Sequence, residues 1–296
     1  MIKKSFLYCI IGILFGFNFL FSSCESMYPE EIIPSYLHID TIILEENPFL
    51  ALGEGVLNHK ITDAWVFVDG KLIGTYEMPF TVPVIAQGLK PVIILPGIKM
   101  NGIAGTRIYY PFYLKYETEV NFQAEQIHSI SPVTHYIDDS VFPYMNNFET
   151  GATGFDVTIN SDTIMEVTDV DVCNGAYSGM VRLEGDRKMF EVQSSDFFEL
   201  PAHSNEVFLE MEYKNETEIV VGLTAYMSDQ TTSSVSIFAI NPSSEWNKIY
   251  VNLTPTLSYL GDAMKFKLYF GGILGEGQES AVNYFDNIKI VHHEQK

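Results

Sequence analysis

Alternating hydrophobic and polar residues dominate most of the chain. Leu37 and Ile39 alternate with polar neighbours, which is the period of a strand with one buried face. Residues 64–68 form a β-branched and aromatic run, and Asp69-Gly70 separates it from Leu72-Ile73. An Asp-Gly pair between two such runs predicts a tight hairpin. No long stretch combines helical spacing with caps, so the pattern predicts an all-β fold.

A second series of strand-like segments begins at Asn147-Phe148-Glu149 and ends at residues 285–290. Between the two series, Asp138-Asp139 and Pro143 interrupt the alternation, which is typical of a linker. The length of the chain suits two domains. The sequence therefore predicts a leader over residues 1–23, an acidic tether over 24–35, a first β-sandwich over 36–135, a linker over 136–146 and a second β-sandwich over 147–292.

The first sandwich carries the motif of a known small repeat. The segment from Trp65 to Gly74 contains Val-Asp-Gly, Met78-Pro79-Phe80 follows it, and Gly88 precedes the next strand-like run. Over roughly residues 62–96 this order resembles the PEGA-type repeat, a small Ig-like β-sandwich. The resemblance implies a structural or attachment module at a cell envelope, without catalysis.

The second sandwich resembles the galactose-binding-like jelly roll found in many carbohydrate-binding modules. The resemblance rests on an opening Phe148-Glu149, a Gly/Ser-rich turn at residues 174–179 and a closing Asp286-Asn287-Ile288. It spans about residues 147–292. Because jelly rolls serve both glycan binding and pure scaffolding, the fold by itself does not choose between these functions.

The same resemblance implies a structural calcium site. In calcium-bearing jelly rolls the opening Glu and the closing Asp lie side by side, and Glu149 and Asp286 match those positions. Calcium takes six to eight oxygen ligands, and Asp171 or Asn174 would add to the set. The alternative is that Glu149 is a solvated edge residue and Asp286 a turn residue. No other cofactor is expected.

The N-terminus resembles a bacterial lipoprotein signal. Lys3 and Lys4 precede an apolar run of about 16 residues, which is short for the roughly 20 of a membrane span, and Ser22-Ser23-Cys24 follows. In lipoproteins this cysteine is diacylated and becomes the mature N-terminus, which would anchor the protein in the membrane. Glu25 provides no inner-membrane retention signal, which favours the outer membrane. The alternative is an ordinary cleaved leader with Cys24 incidental.

The chain is strongly acidic, with a formal charge of −21. Nucleic acid and anionic lipid both need Lys and Arg on the protein, so neither is an expected partner. Attachment to a membrane would come from acyl chains, of which two suffice for stable anchoring. The charge itself is typical of a soluble, exposed body.

No catalytic motif is present, and the protein is predicted not to be an enzyme. The sequence lacks G-x-S-x-G, H-E-x-x-H and phosphate-loop patterns, each of which would carry a defined chemistry. Cys173 has no His–Asn or His–Asp context and is predicted to be a small buried hydrophobe. His292-His293 lies near the C-terminus and is predicted to be frayed.

Aromatic residues supply the binding candidates. A group beside Pro111 is hard to bury in one small sandwich and predicts an interface, within the chain or with a partner. Its members are Tyr109, Tyr110, Phe112 and Tyr113. Tyr226, Trp246 and Tyr269 are candidate platforms for sugars, although core packing is favoured for Trp246 because it lies in strand-like alternation.

Two functions follow from these features. The first is a non-catalytic, membrane-anchored scaffold or accessory subunit of a cell-envelope complex, with an envelope protein as partner. The alternative is a surface lipoprotein that binds a polysaccharide through its second sandwich. The absence of an exposed-looking Trp pair favours the scaffold.

Overall fold

The computed structural model describes residues 33–50, 53–201, 206–261 and 263–295. The leader, Cys24 and most of the tether lie outside these residues. Within these ranges, twenty-one strands and one short helix, α1 (Thr254–Tyr259), make up the regular structure, which confirms the all-β prediction. None of the helical structure in the described ranges is long and apolar enough to cross a membrane.

The described part of the first half of the chain contains ten strands. They are β1 (Ser35–Ile39), β2 (Ile43–Leu44), β3 (Asp63–Val68), β4 (Lys71–Glu77), β5 (Phe80–Val84), β6 (Gly88–Lys99), β7 (Arg107–Tyr109), β8 (Tyr116–Phe122), β9 (Ile127–Ile130) and β10 (Val133–Thr134). A three-stranded sheet (β5-β1-β9) faces a five-stranded sheet in which β4, β3, β6 and β7 follow one another and β8 also pairs with β6. Buried aliphatic residues of both sheets form one core.

The predicted hairpin is confirmed. Strands β3 and β4 pair antiparallel, with Val68 opposite Lys71. Asp69 and Gly70 both have positive φ, at 51° and 73°. A two-residue turn of this kind suits the twist of a hairpin and favours Asp-Gly, because glycine adopts positive φ without steric cost.

Eleven strands lie in the residues of the second half that the structure describes. They are β11 (Ser140–Asn146), β12 (Phe155–Val157), β13 (Met165–Thr168), β14 (Ser178–Glu184), β15 (Met189–Ser194), β16 (Val207–Asn215), β17 (Ile219–Met227), β18 (Thr232–Ile240), β19 (Ser243–Asn252), β20 (Ala263–Ile273) and β21 (Ser280–His293).

These strands form two packed sheets. Sheet one has the order β13-β14-β21-β16-β19, with β11 also on β21, and sheet two has the order β12-β15-β20-β17-β18. Successive strands mostly alternate between the two sheets, as they do in a jelly roll. The inner faces bury a core rich in Phe, Leu, Ile and Val.

The segment predicted as a linker is largely a strand. Residues 140–146 form β11, which pairs antiparallel with β21 through Tyr144–Ile290 and Asn146–Ile288. A register shift between Val141 and Tyr144 accommodates Pro143, which has no N–H to give to a ladder. The second sandwich therefore begins near residue 140, before the predicted boundary at 147.

The aromatic group beside Pro111 lies between the two sandwiches. Tyr110, Phe112 and Tyr113 are 1%, 0% and 5% exposed, whereas Tyr109 is 55% exposed. The ring of Phe208, on the outer face of sheet one, packs 5.2 Å from that of Tyr110. The predicted interface is therefore internal to the chain for three of its four residues, because the second sandwich supplies the apolar surface that one small sandwich lacks.

The prediction that the C-terminal histidines are frayed differs from the structure. Both belong to β21, where His292 faces Val141 and His293 faces Ser140. His292 is buried, and His293 lies 4.7 Å from the ring of Phe112. The last strand thus helps to hold the first sandwich in place.

This interface makes a prediction about folding. Phe112→Ala should lower the free energy of unfolding by about 3–5 kcal/mol, because it empties a buried aromatic site. Tyr109→Ala, at an exposed position, is the matched control and should cost less than about 1 kcal/mol.

The two tryptophans of the chain, Trp65 and Trp246, allow the unfolding of each half to be followed. They lie in different sandwiches, so single-tryptophan variants report urea unfolding of each half. The two midpoints should coincide and shift together, whereas a shift of the Trp65 signal alone would show independent domains.

Candidate functional site: a cleft between the two sandwiches

The outer face of sheet one carries charged residues in cross-strand rows. Glu212 of β16 faces Lys248 of β19 and Asp286 of β21. One row further along, Glu210 faces Tyr250 and Lys289. Because strands β19, β16 and β21 are neighbours, each row runs straight across the sheet.

The Glu210 row lies beneath the first sandwich. Glu210 is fully buried and accepts hydrogen bonds from the Tyr110 hydroxyl at 2.8 Å, from the Tyr136 hydroxyl at 2.8 and 2.9 Å, and from Lys248 Nζ at 2.9 Å. Burial raises the pKa of both phenols well above their usual range, so they remain donors. Burial opposes the charge of Glu210, but Lys248 and Lys289 outweigh it and lower its pKa.

The Glu212 row forms the floor of an open cleft. The cleft has a volume of about 590 Å³, and Glu212, Lys248 and Cys173 are among its lining residues. Glu212 is only 3% exposed, and its Oε1 lies 3.4 Å from Lys248 Nζ. Its Oε2 is buried and has no hydrogen-bond partner within the described ranges. A buried carboxylate oxygen without a donor costs free energy, and burial raises the pKa of Glu212.

Trp246 forms one side of the cleft. It is half-buried, and its indole N–H donates to Asp171 Oδ1 at 2.7 Å. Asp171 in turn pairs with Lys214 at 2.7 Å, and the ring of Tyr284 lies 6.2 Å from that of Trp246. The prediction that Trp246 packs in the core differs from the structure, because the strand alternation places it on the outer face of its sheet.

The opposite side comes from the segment before β3. Asn58, His59 and Lys60 line the cleft. The Asn58 amide donates to Asn174 Oδ1, and Lys60 Nζ donates to Asn247 Oδ1. Both halves of the chain therefore build this cleft, and the side-chain amides of Asn58 and Asn247 are among the groups that line it.

Sequence reasoning missed Glu212 and residues 58–60 as site residues. In β16, Glu210 and Glu212 alternate with Leu209 and Met211. Such an alternation normally predicts a second face in contact with water, so no local signal indicated that this face is covered. Residues 58–60 lie outside any strand, and no pattern predicts which surface such a segment covers.

Cys173 lines the cleft instead of lying in a core. It is half-buried, and the Asn58 amide approaches its Sγ at 3.6 Å. Burial, together with the nearby charges of Glu212 and Asp286, raises the pKa of the thiol to about 12. The thiol therefore stays protonated near neutral pH, which disfavours nucleophilic chemistry.

The other two sugar-platform candidates lie on the opposite side of the sandwich. Tyr226 belongs to β17 and Tyr269 to β20, both in sheet two. Tyr269 is buried, its hydroxyl pairs with Ser236 at 2.7 Å, and its ring lies over Gly222. Tyr226 stacks edge-on against Phe197 at 4.8 Å. The structure thus separates Trp246 from Tyr226 and Tyr269.

Glu149 and Asp286 hold one loop from two sides. Glu149 Oε1 accepts the backbone N–H groups of Ala176 and Tyr177 at 2.9 and 3.0 Å. Asp286 Oδ2 accepts those of Cys173 and Asn174, both at 3.2 Å. N–H donors repel a cation, and the described ranges contain no group of three or more His, Cys, Asp or Glu residues suited to a metal ion. This donor set does not fit the calcium that the sequence led us to expect.

No known protein family matches the sequence of this chain, and no curated protein matches it. Among solved structures, the CBM22-1 xylan-binding domain of Paenibacillus barcinonensis Xyn10C is 15% identical, with a TM-score of 0.38 over 53% of this chain and 97% of that domain. TmCBM61, solved in complex with β-1,4-galactotriose, is 17% identical, with a TM-score of 0.33 over 49% of this chain and 92% of its own. This likeness concerns fold.

The buried Asp286 predicts a pH dependence. Burial raises its pKa to about 6, against about 3.9 in an unfolded chain. Between these pH values the folded state therefore binds more protons than the unfolded state. The contribution of this proton binding to the free energy of unfolding is fully present below about pH 4 and is lost as pH rises through 6. The free energy of unfolding of the wild type minus that of Asp286→Asn should fall by roughly 2 kcal/mol from pH 4 to 7. Glu212 and Glu54 titrate in both proteins and largely cancel, and a flat difference in urea titrations would contradict the assignment.

Proposed function

We propose that this protein is a lipid-anchored, non-catalytic binding protein of the cell envelope, and that its ligand is a glycan held in the cleft between the two sandwiches. The observation that carries the proposal is that Trp246 and Glu212 line the same cleft of about 590 Å³. Oε2 of Glu212 has no hydrogen-bond partner among the described residues. An aromatic wall and a few convergent polar groups are typical of sites for small ligands.

The chemistry of the cleft suits a sugar. A pyranose ring has an apolar C–H face, which can lie against the indole of Trp246, and hydroxyl groups around its edge. Side-chain amides such as those of Asn58 and Asn247 both donate and accept hydrogen bonds, so they match hydroxyls in either role. Glu212 Oε2 offers an acceptor that a ligand donor would satisfy. The hydrogen bond to Asp171 fixes the indole in advance, which lowers the entropic cost of binding.

The scaffold hypothesis has less support. It rested in part on an aromatic group that one small sandwich can hardly bury, but Tyr110, Phe112 and Tyr113 are buried against the second sandwich. They pack against the protein's own second half, and of the four-residue aromatic group only Tyr109 is exposed. Glycan capture, the alternative that the sequence left open, is therefore the function we propose.

Trp246 and Tyr226 provide a direct test, because they lie on opposite sheets. Trp246→Ala should weaken glycan binding by about tenfold or more, since loss of a central aromatic contact typically costs over 1 kcal/mol. Tyr226→Ala is the matched control and should leave affinity within about twofold. A glycan array that includes xylan and β-1,4-galactan fragments would first find the ligand, and calorimetry would then compare the variants.

Each variant should retain its cooperative melt, because both side chains are half-buried. Selective binding that is lost with Tyr226→Ala and kept with Trp246→Ala would move the site to sheet two and overturn the cleft as the binding site. An array without any bound glycan would overturn glycan binding altogether.

The anchor has its own test. Mass spectrometry of the mature protein should find a diacylated Cys24 at the N-terminus and no residues 1–23, and Cys24→Ala should release the protein from membranes. The physical reason is that two acyl chains supply stable membrane attachment that an acidic body of charge −21 does not. Membrane attachment that survives Cys24→Ala would contradict lipidation as the anchor.

A further inference from the structure

The buried region around the cleft and the adjoining interface holds more carboxylates than lysines. The buried carboxylates of this region are Glu54, Glu210, Glu212 and Asp286, and the buried lysines are Lys248 and Lys289. Two carboxylates therefore have no buried cation to match them. Burying unmatched charge is costly, and the cost falls on whichever carboxylate has the fewest donors.

Glu212, which lines the cleft, is the carboxylate with the fewest donors when it is compared with Glu210 and Asp286. Glu210 receives two tyrosine hydroxyls and the shorter contact with Lys248, at 2.9 Å. Asp286 receives three backbone N–H groups. Glu212 has only the 3.4 Å contact with Lys248 through Oε1. Glu212 lines the open cleft, so a ligand held there would lie beside this side chain, and its Oε2 is the oxygen without a donor in the described ranges.

The cations at the rim do not supply the missing donor. Lys214 is paired with Asp171, and Lys60 donates to Asn247. Burial and the nearby charge of Lys248 lower the pKa of His59, so its ring is neutral near pH 7. Lys248 is the one cation of the described chain within 4 Å of Glu212. No suitable group of metal-ligating side chains accompanies it in those ranges.

Building on the proposed glycan binding, we propose that the ligand is a glycan with free primary amines, such as a polymer of amino sugars without N-acetyl groups. One ammonium group would donate to Oε2 of Glu212. A hydrogen bond between charged groups is about twice as strong as a neutral one, and it would match one of the two excess buried charges. The charge of −21 on the chain would also draw a cationic glycan towards the protein.

The test compares two oligosaccharides that differ only in N-acetylation. The full chain would be titrated calorimetrically at pH 6 and 0.15 M salt with the hexasaccharide of β-1,4-linked glucosamine and with that of N-acetylglucosamine. We expect the amine form to bind at least tenfold more tightly. Glu212→Gln, which keeps the shape of the side chain, should reduce this ratio to below threefold. Glu191→Gln, on the outer face of sheet two, is the matched control and should leave the ratio unchanged.

Several outcomes would overturn the inference. Equal binding of the two hexasaccharides by the wild type would do so without recourse to any variant. A preference that survives Glu212→Gln, or that falls equally with Glu191→Gln, would show attraction to the acidic surface in general. Failure of the proposed function looks different: no array glycan binds, or Trp246→Ala leaves binding intact. If a neutral or acidic glycan binds through Trp246 and the amine form does not, glycan binding stands and the amine preference falls.

Discussion

The buried carboxylate of Glu210 is the constraint on which the arrangement of the two sandwiches depends. It lies on the outer face of sheet one, where a lone sandwich would leave it in water. In the structure it is fully buried, and its hydrogen bonds come from Tyr110 and Tyr136 of the first half and Lys248 of the second. Removing one partner of such a buried group typically costs several kcal/mol. The two halves are therefore joined by a satisfied polar network inside an apolar interface, so they form one structural unit.

The position of this network also creates the cleft. The first sandwich covers the Glu210 row of sheet one and stops before the Glu212 row. The segment carrying Asn58 to Lys60 then faces Trp246 across the gap. Lys248 contacts the carboxylates of both Glu210 and Glu212 but lies closer to Glu210. The ion pair that stabilises the interface therefore leaves Glu212 with too few donors. The proposed preference of the cleft for a ligand that carries a donor rests on this same shortage.

Much of the fold could be predicted from local patterns. The period-two alternation predicts the all-β class because it reports which side chains share a face of a strand. The Asp69-Gly70 hairpin follows from the φ values that its turn needs. The boundary near residue 140 could not be predicted, because Pro143 and two aspartates resemble a linker until β21 provides β11 with a partner. The site was predicted only in part: Trp246 was among the candidates, whereas Glu212 was not.

The sequence by itself determined the strands, the short turns and the absence of known catalytic motifs, since each depends on residues close together in the chain. Only the tertiary structure decided which faces are covered. Alternation shows that Trp246, Lys248 and Tyr250 share one face of β19, but it does not say what lies over that face. Docking of the first sandwich buries Tyr250, leaves Trp246 half-exposed and brings Asn58 to the cleft from more than a hundred residues away in the sequence. Contacts of that separation depend on how two complete sheets fit together, which no local pattern encodes.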